Sequence, residues 1–147
     1  MRKIYFFLAV LVTTIIACQK ENIPEEDQIN SYISSKNLTV TDKTTSGLRY
    51  IVTKANPTGA ALKVGQTINV NYTGSLLSGK TFDSGNFNFV LGGGRVIEGF
   101  DIGIAKMRVG EKAILIFPST LGYGSQSVGS IPANSSLVFE IEVVSAK

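Results

Sequence analysis

Apolar and polar residues alternate in several stretches of the chain from residue 48 onward. These stretches are residues 48–55, 66–76, 87–91, 111–119 and 136–144, and all are rich in β-branched and aromatic residues. A period of two is typical of β-strands with one buried and one solvated face. The sequence therefore predicts five strands, most simply in an antiparallel sheet.

One segment of this region has helical spacing instead. In residues 96–107 the apolar side chains recur three or four positions apart, at Ile97, Phe100, Ile104 and Met107. Gly99 and Gly103 lower its helix propensity, so we expect this helix to require packing against the sheet. Five strands and one short helix predict the α+β class, with an antiparallel β-sheet wrapped around one short α-helix.

The N-terminal residues have the pattern of an export signal. Arg2 and Lys3 precede an apolar run at residues 4–16, which is too short to span a bilayer. The run ends in "IIAC", at Cys18, the only cysteine of the chain. This resembles a bacterial lipoprotein signal, so we predict a signal peptide over residues 1–17 and lipidation of Cys18. An ordinary cleaved signal peptide and a buried core cysteine are the alternatives.

The segment that follows is polar, and it is acidic in its first part. Pro24 and the acidic residues after it indicate the start of a short helix, with Ile29, Tyr32 and Ile33 along one face. We interpret residues 18–45 as a tether with a possible short helix, and residues 46–147 as the folded domain. No heptads persist in the tether, and we expect a monomer.

Charge and composition exclude several classes of function. Without Arg2 and Lys3, twelve basic residues remain against eleven acidic ones, a net charge of +1 without a basic stripe. The sequence therefore gives no indication of a nucleic-acid partner. The chain has no histidine, and we predict neither a metal site nor a bound cofactor.

Residues 74–81, "GSLLSGKT", match the P-loop pattern G-x-x-x-x-G-K-[ST] at every position. A P-loop requires a buried parallel strand before it and a helix directly after its lysine. Here an alternating strand precedes the motif, and "FDSGNFNFVL" follows it without helical spacing. We interpret the motif as a β-hairpin with its turn at Ser78 and Gly79, and we predict no nucleotide partner.

Five ordered segments of the chain resemble the FKBP-type peptidyl-prolyl isomerases. They are "VNYTGSL", "GKTFDS", "FNFVLGGGRVIEGFDIGIAKMRVGEKA", "IFPSTLGYG" and "IPANSSLVFEIEVV". Together they cover about residues 46–147. The resemblance implies a bent antiparallel sheet around a short helix, with an aromatic pocket for a proline ring. Phe100 stands where many members of the family have tryptophan.

Matched by motif, the resemblance assigns the residues of this pocket. The catalytic set is Tyr72, Phe82, Asp83, Ile97, Phe100, Tyr123 and Phe139. The substrate-binding set is Phe87, Phe89, Val96 and Ile131. The Tyr123 hydroxyl and the Ile97 backbone N–H are expected to bind substrate carbonyls. By residue type alone, these phenylalanines would be assigned to a hydrophobic core, and only the ordered set of motifs favours the pocket.

Together with the predicted lipidation of Cys18, the resemblance implies a lipid-anchored prolyl isomerase that assists the folding of proline-containing clients in a bacterial cell envelope. We expect it on the outer membrane facing the periplasm, or at the cell surface. An apolar pocket can ease X–Pro rotation by desolvation and by binding the twisted amide. The alternative is a non-catalytic binding module or scaffold that uses the same pocket.

Overall fold

The computed structural model describes residues 22–147, so the predicted signal peptide and Cys18 lie outside the described residues. Within this range, the strands form one six-stranded antiparallel sheet in the order β1-β2-β5-β6-β3-β4. Its strands are β1 (Asp42–Lys43), β2 (Arg49–Lys54), β3 (Thr67–Leu76), β4 (Thr81–Val90), β5 (Lys112–Phe117) and β6 (Leu137–Ala146). The helices are α1 (Glu25–Ser35) and α2 (Glu98–Ile104), and Ser119–Leu121 form a 3-10 turn. The predicted α+β class and antiparallel sheet are confirmed.

One face of the sheet, here called the inner face, packs against α2. In β6 the alternate residues Leu137, Phe139, Ile141 and Val143 are buried in the same cluster as Phe100 and Ile104 of α2. Glu140, between two of them, is exposed on the opposite face. The period of two in the sequence thus places the main core on the inner face.

The two glycines of α2 allow the helix to lie close against β5. A Cβ atom at Gly99 would lie 2.5 Å from the Phe117 ring, and one at Gly103 would overlap the Leu115 side chain. The helix is shorter than predicted and ends at Ile104. The apolar pattern continues to Met107 because this residue is also buried in the core, although it lies beyond the helix. Close packing, and not helix propensity, holds α2 in place.

The hairpin predicted from "GSLLSGKT" is confirmed. β3 and β4 pair from Thr67↔Val90 to Ser75↔Thr81, and Gly79 adopts a positive φ of 87° in the turn. Lys80 is exposed in that turn and is followed by β4, where a P-loop has a helix. β4 is longer than predicted and places Phe82, Asp83, Phe87 and Phe89 on one continuous strand.

The described part of the predicted tether contains α1, which packs against the sheet, and β1, which is one of its strands. β1 pairs with β2, through Asp42↔Tyr50 and Lys43↔Arg49. α1 covers the outer face, where Ile29 packs with Ile51, Ile116 and Val138. Within residues 22–147, neither helix is long and apolar enough to cross a membrane.

Candidate functional site

A pocket of about 440 Å³ opens between the β3–β4 hairpin, the start of α2 and the loop that joins β5 to β6. Most of its lining is aromatic or aliphatic, with a carboxylate and a guanidinium among the polar groups. The lining residues are Tyr72, Phe82, Asp83, Phe87, Gly94, Arg95, Val96, Ile97, Phe100, Tyr123 and Phe139. The structure therefore brings together nine of the residues that the sequence assigned to the site.

Phe100 is the central ring of this pocket. Its centroid lies 5.2 Å from that of Phe139, 5.5 Å from that of Phe89 and 6.1 Å from that of Tyr72. The contacts with Phe139 and Tyr72 are edge-to-face, which is a favourable geometry for aromatic pairs. Phe100 is only 5% exposed. The pocket floor is therefore a packed layer of rings that excludes water.

A glycine on β3 makes room for another part of this layer. The Phe82 and Phe139 rings meet edge-to-face at 5.6 Å. A Cβ atom at Gly74 would lie 2.6 Å from the Phe82 ring and 2.9 Å from the Phe139 ring. Any larger residue at Gly74 would displace one of these rings.

The polar edge of the pocket is formed by Tyr72 and Asp83. The Tyr72 hydroxyl donates a hydrogen bond to Asp83 Oδ2 at 2.7 Å, and Asp83 Oδ1 accepts the Ser84 N–H at 2.9 Å. The pKa of Tyr72 is raised from 10.0 to about 12, mainly by the hydrogen bond to the Asp83 carboxylate and to a smaller extent by burial. Tyr72 therefore remains a neutral donor at physiological pH, and it holds Asp83 at the rim.

Val96 and Ile97 line the pocket at the start of α2. Ile97 is the N-cap residue, with φ −62° and ψ 147°, and its carbonyl accepts the Phe100 N–H at 3.1 Å. Within residues 22–147, the Ile97 N–H has no backbone partner. This N–H is therefore suited to donate to a carbonyl of a bound peptide, as the resemblance implies.

Two of the predicted substrate-binding residues lie behind the pocket wall. Phe89 is buried, with its ring stacked on that of Phe87 at 6.1 Å. Ile131 is also buried in the main core and pairs with Val128 through a β-bridge. Both support the pocket but are not among the residues that line it. Whether they contact a substrate stays a prediction.

Two lining residues, Gly94 and Arg95, were not assigned from the sequence. Both are exposed, and neither belongs to the pattern of apolar residues from which buried positions are predicted. Their position directly before Val96 is the feature that identifies them afterwards. Arg95 places a positive charge at the same rim as the Asp83 carboxylate.

A second cleft, of about 460 Å³, lies on the outer face of the sheet beyond α1. Its lining includes Thr53, Asn71, Lys112, Glu140 and Glu142, and it lacks a cluster of aromatic rings. The aromatic pocket is the better candidate site, because it combines an apolar floor with a few convergent polar groups. In residues 22–147, no three Cys, His, Asp or Glu side chains are grouped closely enough to hold a metal ion.

Comparison with known proteins gives consistent results. A sequence profile described as "FKBP-type peptidyl-prolyl cis-trans isomerase" matches residues 59–144. "FK506-binding protein 3" of Candida albicans is 45% identical over 93 residues, which cover 60% of this chain and 22% of that protein. "Peptidyl-prolyl cis-trans isomerase FKBP15-3" of Arabidopsis thaliana is 36% identical over 140 residues, 89% of this chain and 96% of that protein.

Among solved structures, FkpA from Escherichia coli has a similar fold. Its TM-score is 0.72 at 34% sequence identity, and the match covers 84% of this chain and 59% of that chain. The chain spans less than a third of the length of the fungal relatives it matches. The similarity therefore concerns one domain of those proteins.

Proposed function

Because this chain belongs to the family of FKBP-type peptidyl-prolyl cis-trans isomerases, we propose that it accelerates rotation about X–Pro bonds in polypeptide clients. The observation that supports this most directly is the layer of rings around Phe100, which is shaped to hold an apolar ring away from water. The alternative is a module that binds proline peptides in the same pocket without catalysis. Only a rate measurement distinguishes such a module from an isomerase.

The chemistry of the reaction explains why such a pocket is sufficient. Rotation about a peptide bond faces a barrier of ~18–20 kcal/mol, because resonance gives the C–N bond double-bond character. The charge-separated resonance form is favoured by water and disfavoured in an apolar pocket, so desolvation lowers the barrier. Each ~1.36 kcal/mol removed from the barrier speeds the reaction about tenfold.

The polar groups at the rim position the substrate in this account. Ile97 and Tyr123 both line the pocket, and the Ile97 N–H and the Tyr123 hydroxyl would donate to carbonyls of the bound peptide. Asp83, oriented by Tyr72, supplies a carboxylate at the pocket edge. Groups aligned with the twisted amide, and less well with the planar one, lower the barrier further by differential binding. No bond to the enzyme is formed, and no proton is transferred.

A matched pair of variants at Phe100 tests the desolvation mechanism. Phe100→Met and Phe100→Gln introduce unbranched side chains of similar length, but only glutamine brings an amide into the floor. An unpaired buried amide costs about 1–3 kcal/mol, so the glutamine variant should have a kcat/KM at least about fivefold below that of the methionine variant. The assay is isomer exchange of a short X–Pro peptide. Equal rates for two folded variants would contradict a role for dryness.

We further propose that the protein is a lipoprotein of a bacterial cell envelope, where it assists the folding of envelope proteins. The support is the sequence of residues 4–18, an apolar run that ends at the single cysteine. Several acyl chains on Cys18 would anchor the protein stably, whereas one chain binds a membrane only weakly.

Metabolic labelling with a clickable fatty acid tests the anchor. The parent chain should become labelled and should sediment with membranes, and a Cys18→Ser variant should do neither. Cys18 is the only cysteine, so no other thiol of the chain can carry a fatty acid and obscure the comparison. Equal labelling of both proteins would reject the lipoprotein assignment.

A further inference from the structure

The loop between β5 and β6 carries Tyr123, and the backbone on both sides of Tyr123 is bound to Ser119, the second residue of the loop. The Ser119 carbonyl accepts hydrogen bonds from the Gly122 N–H and the Gly124 N–H, both at 2.8 Å. The residues on both sides of Tyr123 are thus bound to one carbonyl oxygen. These two hydrogen bonds link the position of Tyr123 to that of Ser119.

The remaining polar groups of Ser119 are bound by Glu25, in the first turn of α1. The Ser119 N–H donates to Glu25 Oε2 at 2.7 Å, and Ser119 Oγ donates to Glu25 Oε1 at 2.6 Å. At the other end of the loop, Ser136 Oγ donates to Glu25 Oε2 at 2.7 Å. One carboxylate therefore binds both ends of the loop. Such bonds to an ionised acceptor are stronger than those between neutral groups.

The two serines that Glu25 binds are buried, and the helix that carries Glu25 is held firmly. Ser119 is 4% exposed and Ser136 is 5% exposed. In α1, Ile29 is fully buried against the outer face of the sheet. The next residue after Glu25, Glu26, pairs with the buried Arg49 at 2.6 Å. Glu25 therefore projects from a fixed backbone and not from a mobile terminus.

We propose that Glu25 is a positioning residue for the isomerase reaction, acting through Ser119 and Ser136 on the loop that carries Tyr123. This inference rests on the function proposed above. Glu25 does not line the pocket, which opens on the inner face of the sheet, whereas α1 packs on the outer face. The helix before the isomerase domain is thereby an integral support of the site, and release of α1 from the sheet would loosen the pocket.

The test compares Glu25→Ala with Asp27→Ala in the full chain. Both variants remove one acidic residue from the first turn of α1, but only Glu25 contacts the loop, whereas Asp27 is exposed. Amide hydrogen exchange of Gly122 and Gly124, followed by NMR, reports on the loop without reference to catalysis. We expect exchange of these two amides to accelerate about tenfold or more in Glu25→Ala, as for a locally opened segment, and to be unchanged in Asp27→Ala.

Isomerase kinetics provide the second readout. The kcat/KM of Glu25→Ala should fall about three- to tenfold, the effect expected when one hydrogen bond to the substrate is loosened. Glu25→Gln, which keeps an oxygen acceptor for the Ser119 N–H, should recover part of both losses. Ser136→Ala removes one of the three bonds and leaves α1 in place. It should give an intermediate effect, and it replaces Glu25→Ala if that variant does not fold.

Loop amides that exchange at the same rate in Glu25→Ala and Asp27→Ala would overturn the proposal. A loss of activity in Glu25→Ala with unchanged loop exchange would overturn it as well, because the effect would then not pass through the loop. If the parent itself does not accelerate isomer exchange, the proposed function fails. The amide exchange then decides the role of Glu25 on its own, with acceleration in Glu25→Ala supporting it and no change rejecting it.

Discussion

Phe100 and Tyr72 contribute to the pocket in different ways. Phe100 supplies apolar surface and contacts three other rings, so its value lies in excluding water. Tyr72 adds both a ring and a hydroxyl, and the hydroxyl orients Asp83 at the rim. The first residue sets how dry the site is, and the second sets where its charge lies.

The pH dependence of activity follows from these residues. The chain has no histidine, and the bond to Asp83 raises the pKa of Tyr72 to about 12. Tyr72 therefore keeps its proton throughout the neutral range, and kcat/KM should be nearly flat from about pH 6 to 8.5. A bell-shaped profile in that range would indicate acid–base catalysis and contradict the mechanism.

A spectroscopic titration checks the cause of this pKa. Since the carboxylate of Asp83 favours the protonated form of Tyr72, Asp83→Asn should lower the pKa of Tyr72 towards 10.0. Ultraviolet difference spectra of the parent and the variant measure this shift. A Tyr72→Phe variant identifies which of the tyrosines titrates.

Single residues of the site were predictable only through their motif. Phe100 and Phe139 are buried and also line the pocket, so residue type could not separate a core role from a binding role. Arg95 was missed because an exposed arginine has no apolar pattern. Spacing along the chain does not show which exposed residues a fold brings to one rim.

Helix α2 is held by contacts with the sheet, because its glycines lower its own helix propensity. Glycine at Gly103 costs about 1 kcal/mol relative to alanine in an ordinary helix, yet it permits the approach to Leu115. β4 behaves similarly. Residues 83–86, in its first half, have the sequence DSGN and therefore low strand propensity, and pairing with β3 holds them in the sheet. This is why the sequence predicted α2 too long and β4 too short.

Gly103→Ala distinguishes packing from propensity by the sign of its effect. Propensity alone would stabilise the protein, whereas overlap of the new methyl group with Leu115 should destabilise it by about 1–3 kcal/mol. Ser31→Ala, at an exposed position of α1, is the control and should be neutral or slightly stabilising. Urea unfolding measures both. A stabilised Gly103→Ala would show that α2 is not held by close contact.

Across the whole molecule, the sheet is covered by a helix on each face. The sequence indicated that the outer face is also covered, since β2, β5 and β6 include consecutive apolar residues such as Ile114–Phe117. Strict alternation would leave one face polar, whereas Ile51, Ile116 and Val138 form a second core beneath α1. Periodicity could predict α1 as a helix, but its docking site depends on distant strands that only the fold brings together.

The two faces also divide the tasks of the molecule. The inner face and its loops form the pocket, and the outer face holds α1, whose Glu25 binds the ends of the pocket loop. Helix α1, which follows the predicted anchor, is therefore joined by hydrogen bonds to the loop that lines the site.

Isomer exchange of a short X–Pro peptide, measured by NMR with a catalytic amount of the full chain, distinguishes an isomerase from a binding module. Uncatalysed exchange takes tens to hundreds of seconds, so acceleration is readily detected. We expect the cis and trans signals to exchange much faster with the parent, and close to the uncatalysed rate with Phe100→Asp, which puts a charge on the pocket floor. Peptide that binds the pocket, seen as shifts of pocket resonances, but exchanges no faster would contradict the account and identify a binding module.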